Sequence, residues 1–234
     1  MDIASIQEAL RDRKLDGWLL YDFHGSNPIA RRIAGLNDTD KLTTRRWYYL
    51  IPACGEPRML VHDIERYSLS HLPGEQLIYA RYDTLNTGLK SLVRDMHRVA
   101  IEYSPDCAIP YVSRVDAGTI DHLRRLGISP LSSGDLIQEF EAIWDAHTLD
   151  SHRTASALLY EIKDRTFALI RNQLSSGTLT EYNVQRQMAE WFDELQLVSD
   201  SAPVVAVQEN SGNPHYLPTS ASHRAIGSEQ VVLI

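Results

Sequence analysis

The sequence predicts an α/β fold: a mixed sheet with helices on its faces in the N-terminal part, followed by a helix-rich second region. Three observations predict it. Short apolar runs of strand length, at residues 17–21, 47–51, 59–61, 76–82 and 99–103, alternate with segments of helical periodicity. Two of these runs are separated only by the turn cluster Pro52-Ala53-Cys54-Gly55-Glu56-Pro57, which makes a hairpin and brings antiparallel pairing into the sheet. From residue 149 onward the short alternation gives way to long helical periodicity. The length agrees: 234 residues, at roughly 150 per domain, make one complete domain and part of another.

The elements follow in order. Ile3, Ile6 and Leu10 recur at helical spacing, so residues 2–14 are expected as an amphipathic helix. Gly17-Trp18-Leu19-Leu20-Tyr21 is continuously apolar, as a strand covered on both faces requires. Residues 84–96 are expected as a helix, and so are residues 117–126, stopped by Gly127. Pro130-Leu131-Ser132-Ser133-Gly134 reads as a turn-rich break, and the two domains are taken as 1–140 and 141–234. Asp135 is expected to cap a helix reaching Ala146. In the next helix, 149–174, Ala155, Leu158, Leu159, Ile162, Leu169 and Ile170 share one face. Ser175-Ser176-Gly177 ends it, and Thr178 with Glu181 offers a capping box for a helix whose apolar stripe is Val184, Met188, Trp191, Phe192 and Leu195. Residues 203–207 read as a strand, 208–213 as a polar loop and 231–234 as a buried strand. Because domains usually finish in surface positions, a chain ending on Val231-Val232-Leu233-Ile234 is expected to be a piece of a longer protein.

Composition narrows the function. With 23 Lys and Arg against 31 Asp and Glu, the net charge of −8 disfavours nucleic acid and acidic membranes as partners. Two cysteines, Cys54 and Cys107, exclude a disulfide scaffold and are expected to be reduced and buried. No signal peptide or 20-residue apolar run is visible, so a cytoplasmic protein is expected. Gly-x-Gly-x-x-Gly, phosphate-loop, His-Glu-x-x-His and Gly-x-Ser-x-Gly patterns are all missing. His147 and His152 are five apart and do not share a helix face, so no metal-ligand residue is assigned. Asp135, Glu139, Glu141 and Asp145 read as a solvated face, and His24, His62, His71, His97 and His122 as surface or satisfied histidines. His215 differs, because it follows a short strand in a loop, between Pro214 and Tyr216, where binding residues concentrate.

Leu15-Asp16-Gly17-Trp18-Leu19-Leu20, Ser26-Asn27-Pro28 and the run from Pro52 to Val61 are followed in order by Gly212-Asn213-Pro214-His215-Tyr216 and by Gly227-Ser228-Glu229-Gln230-Val231-Val232-Leu233-Ile234. This succession resembles the creatinase/aminopeptidase P/prolidase group of pita-bread metallopeptidases. The resemblance implies a ribonuclease-H-like, creatinase-like N-terminal domain followed by an incomplete α+β pita-bread domain. It further implies metal-dependent hydrolysis of short peptides, of the Xaa-Pro aminopeptidase or dipeptidase type, in a homodimer. Two divalent ions (Mn, Co or Zn) would activate the attacking water. Their ligands, two Asp, one His and two Glu, would all lie beyond Ile234, so the present chain is expected to bind no metal pair and to be inactive alone. His215 matches the group's substrate-side histidine, a hydrogen-bond donor to the tetrahedral intermediate; Tyr216 is taken as packing, and His223 is given no role. Two alternatives remain open: a metal-independent, creatinase-like amidinohydrolase and a noncatalytic pita-bread binding module.

Overall fold

The computed structural model describes residues 1–36 and 43–234. The chain divides into two compact units, Met1–Ile143 and Trp144–Ile234.

The first unit is built on a six-stranded mixed sheet. Its strands are β1 (Gly17–Asp22), β2 (Trp47–Pro52), β3 (Arg58–His62), β4 (Glu75–Tyr79), β5 (Arg98–Ile101) and β6 (Ser129–Ser132), in the order β4-β3-β2-β1-β5-β6. β1 and β2 pair antiparallel, as do β2 and β3 in the expected hairpin. The β1–β5, β3–β4 and β5–β6 pairs are parallel. β1 and β2 are buried at every position, which explains their continuously apolar sequences.

Side-chain alternation along β1 divides the core. Trp18 and Leu20 point to one face, with Ile6, Leu10, Ala30, Trp47, Tyr49 and Leu136. Leu19 and Tyr21 point to the other, with Leu50, Leu85, Leu89, Ile101, Ile120 and Leu123. The first face is covered by α1 (Ile3–Asp12), α2 (Pro28–Ile33) and α5 (Gly134–Phe140), and the second by α3 (Tyr82–Leu92) and α4 (Ala117–Arg125). Each fully buried Leu or Ile contributes about 1.5–3 kcal/mol. Asp2 caps α1 by accepting from the Ser5 N–H, and Gly127, at φ +88°, ends α4 in the left-handed conformation expected of a helix stop.

Several sequence expectations are corrected. Residues 130–132, read as a break, belong to β6, where Pro130 pairs with Val99. β6 is an edge strand, so the missing proline N–H removes no ladder bond. The helix assigned from Asp135 to Ala146 ends at Phe140 and starts after Ser133. α2 was not anticipated, although Asn27 caps it and Pro28 occupies its first turn. Both cysteines are exposed rather than buried.

Beside the sheet, a buried polar cluster joins three segments. The Asn27 side chain accepts from Ala30 N and donates to the Tyr21 carbonyl and to Glu102 Oε2, both at 2.8 Å. Glu102 is fully buried and also accepts from Trp18 Nε1 at 2.8 Å and Ser133 Oγ at 3.1 Å. Burial pushes its carboxyl upward, against the opposing effect of these donors. The cluster ties β1, the start of α2, the end of β5 and the start of α5 together.

The second unit contains α6 (Ala146–Gln173), α7 (Glu181–Glu194) and the two-stranded pair β7 (Ala206–Val207) and β8 (Val232–Leu233). Asp145 caps α6 and so starts it three residues before the expected point. Of the face expected to be apolar, only Ile162 and Ile170 are buried, with Leu179, Val184, Met188, Val205, Val207 and Ile226; Leu159 is exposed. Gly177, at φ +68°, closes the turn after α6. Among the described residues no helix is long and apolar enough to cross a membrane.

Asn27→Ala removes a helix cap and a donor to a buried carboxylate together, so it is expected to destabilise the first unit by about 2–4 kcal/mol. The check is a lower urea midpoint at unchanged slope; an unchanged midpoint would refute the role given to this cluster.

Candidate functional site

The site is built from the start of α7 outward. Thr180 and not Thr178 caps this helix, accepting from the Asn183 N–H. The change of register moves Glu181 from the third position of the helix to the first. There its side chain turns inward and is fully buried, whereas a capping-box glutamate would fold back toward its own cap residue.

The Glu181 carboxylate is filled by donors from the segment after α7. Oε1 accepts from Val207 N at 2.7 Å and from Asn210 Nδ2 at 3.0 Å. Oε2 accepts from the Tyr216 hydroxyl at 2.6 Å, from Arg224 N at 2.7 Å and from Asn210 Nδ2 at 3.1 Å. Burial by itself would raise the carboxyl. The hydrogen bonds from Tyr216, Asn210, Val207 and Arg224 outweigh it and hold Glu181 below the usual carboxylate range. Burial first, then the hydrogen bond to Glu181, pushes the Tyr216 phenol up to about 12, so it remains a donor at neutral pH.

Backbone pairing fastens the same region. Glu181 N donates to Arg224 O at 3.0 Å and Ile226 N to Leu179 O at 2.8 Å, around an antiparallel bridge between Thr180 and Ala225. Arg224 forms an ion pair with Glu209.

His215 lies within this tethered segment. A short 3₁₀ helix, Gln208–Gly212, leads from β7 into its turn. The turn is closed by Tyr216 N donating to Asn213 O at 3.0 Å, and His215 N donates to Asn213 Oδ1 at 3.0 Å. His215 itself is exposed. The residues that flank its turn, Asn210 and Tyr216, both reach the Glu181 carboxylate. An imidazole is thus presented to solvent from a backbone fixed on both sides, which is how a donor or acceptor is preorganised for a ligand.

Tyr216, expected only to pack, is a hydrogen-bonding member of the cluster. Glu181, expected as a capping-box partner of Thr178, is its centre. Asn210 was not singled out. The available signal was the pair of candidate caps in Thr178-Leu179-Thr180-Glu181: the second choice aims the glutamate inward. His223 contacts the Thr219 carbonyl at 2.8 Å and stacks on Tyr182. Of the histidines read as satisfied, His71 contacts the Ala34 carbonyl at 2.7 Å and His97 the Gly127 carbonyl at 3.0 Å. Glu139 and Glu141 pair with Arg13 and Arg32, and Asp145 is a helix cap. Among the described residues no group of three or more His, Cys, Asp or Glu side chains could hold a metal ion.

Two predictions follow from the cluster. Glu181 is depressed in the folded state relative to its ordinary value of 4.5, so its stabilisation is complete above that value and is lost as the pH falls below it. Glu181→Gln is therefore expected to lose most stability, relative to the unaltered chain, at neutral pH, with the gap narrowing in acid; thermal melts across pH measure it, and a constant gap would argue against the ionised cluster. Tyr216→Phe deletes one donor to a charged acceptor and is expected to cost about 1.5–3 kcal/mol in a denaturant titration.

The sequence matches no protein family and no curated protein. Solved structures, however, are similar over almost the whole chain. A prolidase from Thermococcus sibiricus has a TM-score of 0.61 at 18% identity, covering 99% of this chain and 60% of its own. The dipeptidase PepE from Mycobacterium ulcerans has a TM-score of 0.61 at 17% identity, covering 98% of this chain and 57% of its own. A dipeptidase from Pyrococcus horikoshii OT3 has a TM-score of 0.60 at 20% identity, covering 99% and 60%. The chain therefore spans less than two thirds of the length of these structures. With its six-stranded mixed sheet and its helical second unit, it has the creatinase/prolidase-like fold.

Proposed function

We propose that this chain is part of a metal-dependent peptidase acting on short peptides, of the Xaa-Pro aminopeptidase or dipeptidase type. In this reading residues 1–140 are the creatinase-like domain, residues 141–234 open the pita-bread domain, and the enzyme works as a homodimer. The observation that carries the proposal is the turn bearing His215: an exposed imidazole held between two residues anchored on one buried carboxylate, in a chain with the fold of prolidases and dipeptidases.

The described residues do not fit a dinuclear metal site. The described side chains offer no cluster of three ligands, and the oxygens of Glu181 are already engaged by protein donors. No step is therefore assigned to metal within this chain. Its own contribution is His215, which donates a hydrogen bond to the substrate oxygen that gains charge as the scissile carbonyl becomes tetrahedral. Such a donor raises the rate because its bond strengthens as charge develops. Glu181, Asn210 and Tyr216 are positioning residues, which act by fixing the turn.

Two measurements test the proposal. The 234-residue chain, supplied with an Xaa-Pro dipeptide and Mn, Co or Zn, is expected to show no turnover; hydrolysis by the chain alone would overturn the division of labour. In the enzyme completed by the remaining catalytic region, His215→Ala is expected to lower kcat by about 10²–10³-fold, the loss typical of an oxyanion donor. Unchanged kcat in a folded variant would remove His215 from the site.

A further inference from the structure

The first unit contains a cationic cavity that the peptidase reading does not use. It has a volume of about 240 Å³ and is walled by Arg46, Tyr48, Tyr82, Asp116, His122 and Arg125, with Gly118 and Thr119 from the first turn of α4. Arg46 directly precedes β2, and His122 and Arg125 lie three apart on α4, so their side chains share one face of that helix.

The charges in this wall are unbalanced. Among the described residues Asp116 is its only carboxylate. Burial would raise it, but its hydrogen bonds and then the facing charge of Arg46 hold it below the usual carboxylate range, and its oxygens are already engaged. Oδ1 accepts from Thr119 N at 2.8 Å; Oδ2 accepts from Thr119 Oγ1 at 2.8 Å and from the Tyr21 hydroxyl at 2.9 Å. These bonds cap α4 and fix Tyr21 to it. Among the described residues no carboxylate lies within ion-pair distance of Arg46 or Arg125, whereas Arg124 beside it pairs with Asp121 at 3.5 Å. Arg46 is half-buried and lies over the Phe23 ring at 5.5 Å, which supports a cation without neutralising it. His122 is held below the usual imidazole range by burial first, and then by the positive charges of Arg125 and Arg46.

A larger cavity in the same unit, of about 470 Å³, provides the contrast. There Arg58 and Arg94 share the wall with Glu56, Glu75 and Asp95, and Arg94 pairs with Glu75 at 3.7 Å. In the larger cavity the protein sets three carboxylates against two arginines, whereas among the described residues of the smaller one two arginines face a single, hydrogen-bonded carboxylate.

We propose that the cavity between Arg46, His122 and Arg125 is a binding site for a small, multiply charged oxyanion, such as a phosphate or a dicarboxylate. Two guanidinium groups provide planar forks matched to such oxygens, and the imidazole adds a third donor. A volume of about 240 Å³ admits a compact anion and little more. The site is independent of His215 and of the peptidase reading, since all its residues belong to the first unit.

The test is calorimetric titration of the 234-residue chain at low ionic strength, with inorganic phosphate in one arm and succinate in the other. One equivalent of at least one anion is expected to bind below about 10 mM, and the tighter arm identifies the source. Arg125→Gln, a substitution at an exposed residue, is expected to weaken that binding by about tenfold or more, whereas Arg153→Gln, outside the cavity, leaves it unchanged. In the unaltered chain the His122 ring signals, assigned with His122→Gln, are expected to shift with the same saturation curve. No saturable binding in either arm, binding insensitive to Arg125→Gln, or a silent His122 would each overturn the proposal.

Discussion

The second unit depends on one buried carboxylate. Glu181 gathers the β7 backbone, the 3₁₀ helix after it, the His215 turn and the strand-like segment at Arg224 onto two oxygen atoms. Between β7 and β8, residues 208–231 contain no α-helix and no strand of the sheet. A segment of that kind has few ladder bonds to hold it, and its backbone polar groups must find partners elsewhere. An ionised carboxylate suits this task because each oxygen accepts more than one hydrogen bond and bonds to charge are stronger than neutral ones. Burying the charge is costly, and the surrounding donors offset the cost; losing any one of them exposes the rest of the balance.

The first unit solves a related problem with Glu102. There the carboxylate sits where the ends of β1 and β5 and the starts of α2 and α5 converge. The two clusters differ in outcome. Glu102 takes three side-chain donors and burial dominates, so its carboxyl is raised. Glu181 takes two backbone N–H groups, an amide and a phenol, and the hydrogen bonds dominate. The contrast follows from donor supply. Both are joints that hold irregular backbone against a regular scaffold, and the regular scaffold is what the apolar clusters on the two faces of the sheet stabilise.

The sheet was legible in the sequence because its central strands are buried on both sides and so carry unbroken apolar runs. Trp47 to Ile51 and Gly17 to Tyr21 could hardly be anything else between their turn signals. β6 was not legible, because an edge strand with Pro130 and two serines has the composition of a turn; its identity comes from pairing with β5, which is tertiary information. α2 was hidden for the opposite reason. Its six residues are too few to show periodicity, and only Asn27-Pro28 marked its start. In the site, the exposed position of His215 in a turn after a short strand could be read locally. The role of Glu181 could not, because it depends on which of two threonines caps α7, and that choice is decided by strand partners twenty and more residues away.

The placement of charge explains why the buried residue and the presented residue are different ones. A side chain that must meet a substrate needs free hydrogen-bonding capacity, and Glu181 has none left. His215 has it because its turn is fixed through the backbone and through Asn213, with no partner placed on the ring itself by the bonds that close the turn. The entropy of ordering the segment is therefore met during folding, by Asn210 and Tyr216 closing on Glu181, and not at the moment of binding. In the proposed reaction this separation matters doubly. The imidazole keeps its donor free for an oxygen that becomes negative only in the transition state, and the carboxylate that fixes the turn is already filled by protein donors and does not compete for it. Exchanging these roles, with the carboxylate exposed and the histidine buried, would place like charges together where the oxyanion forms and would remove the donor from reach.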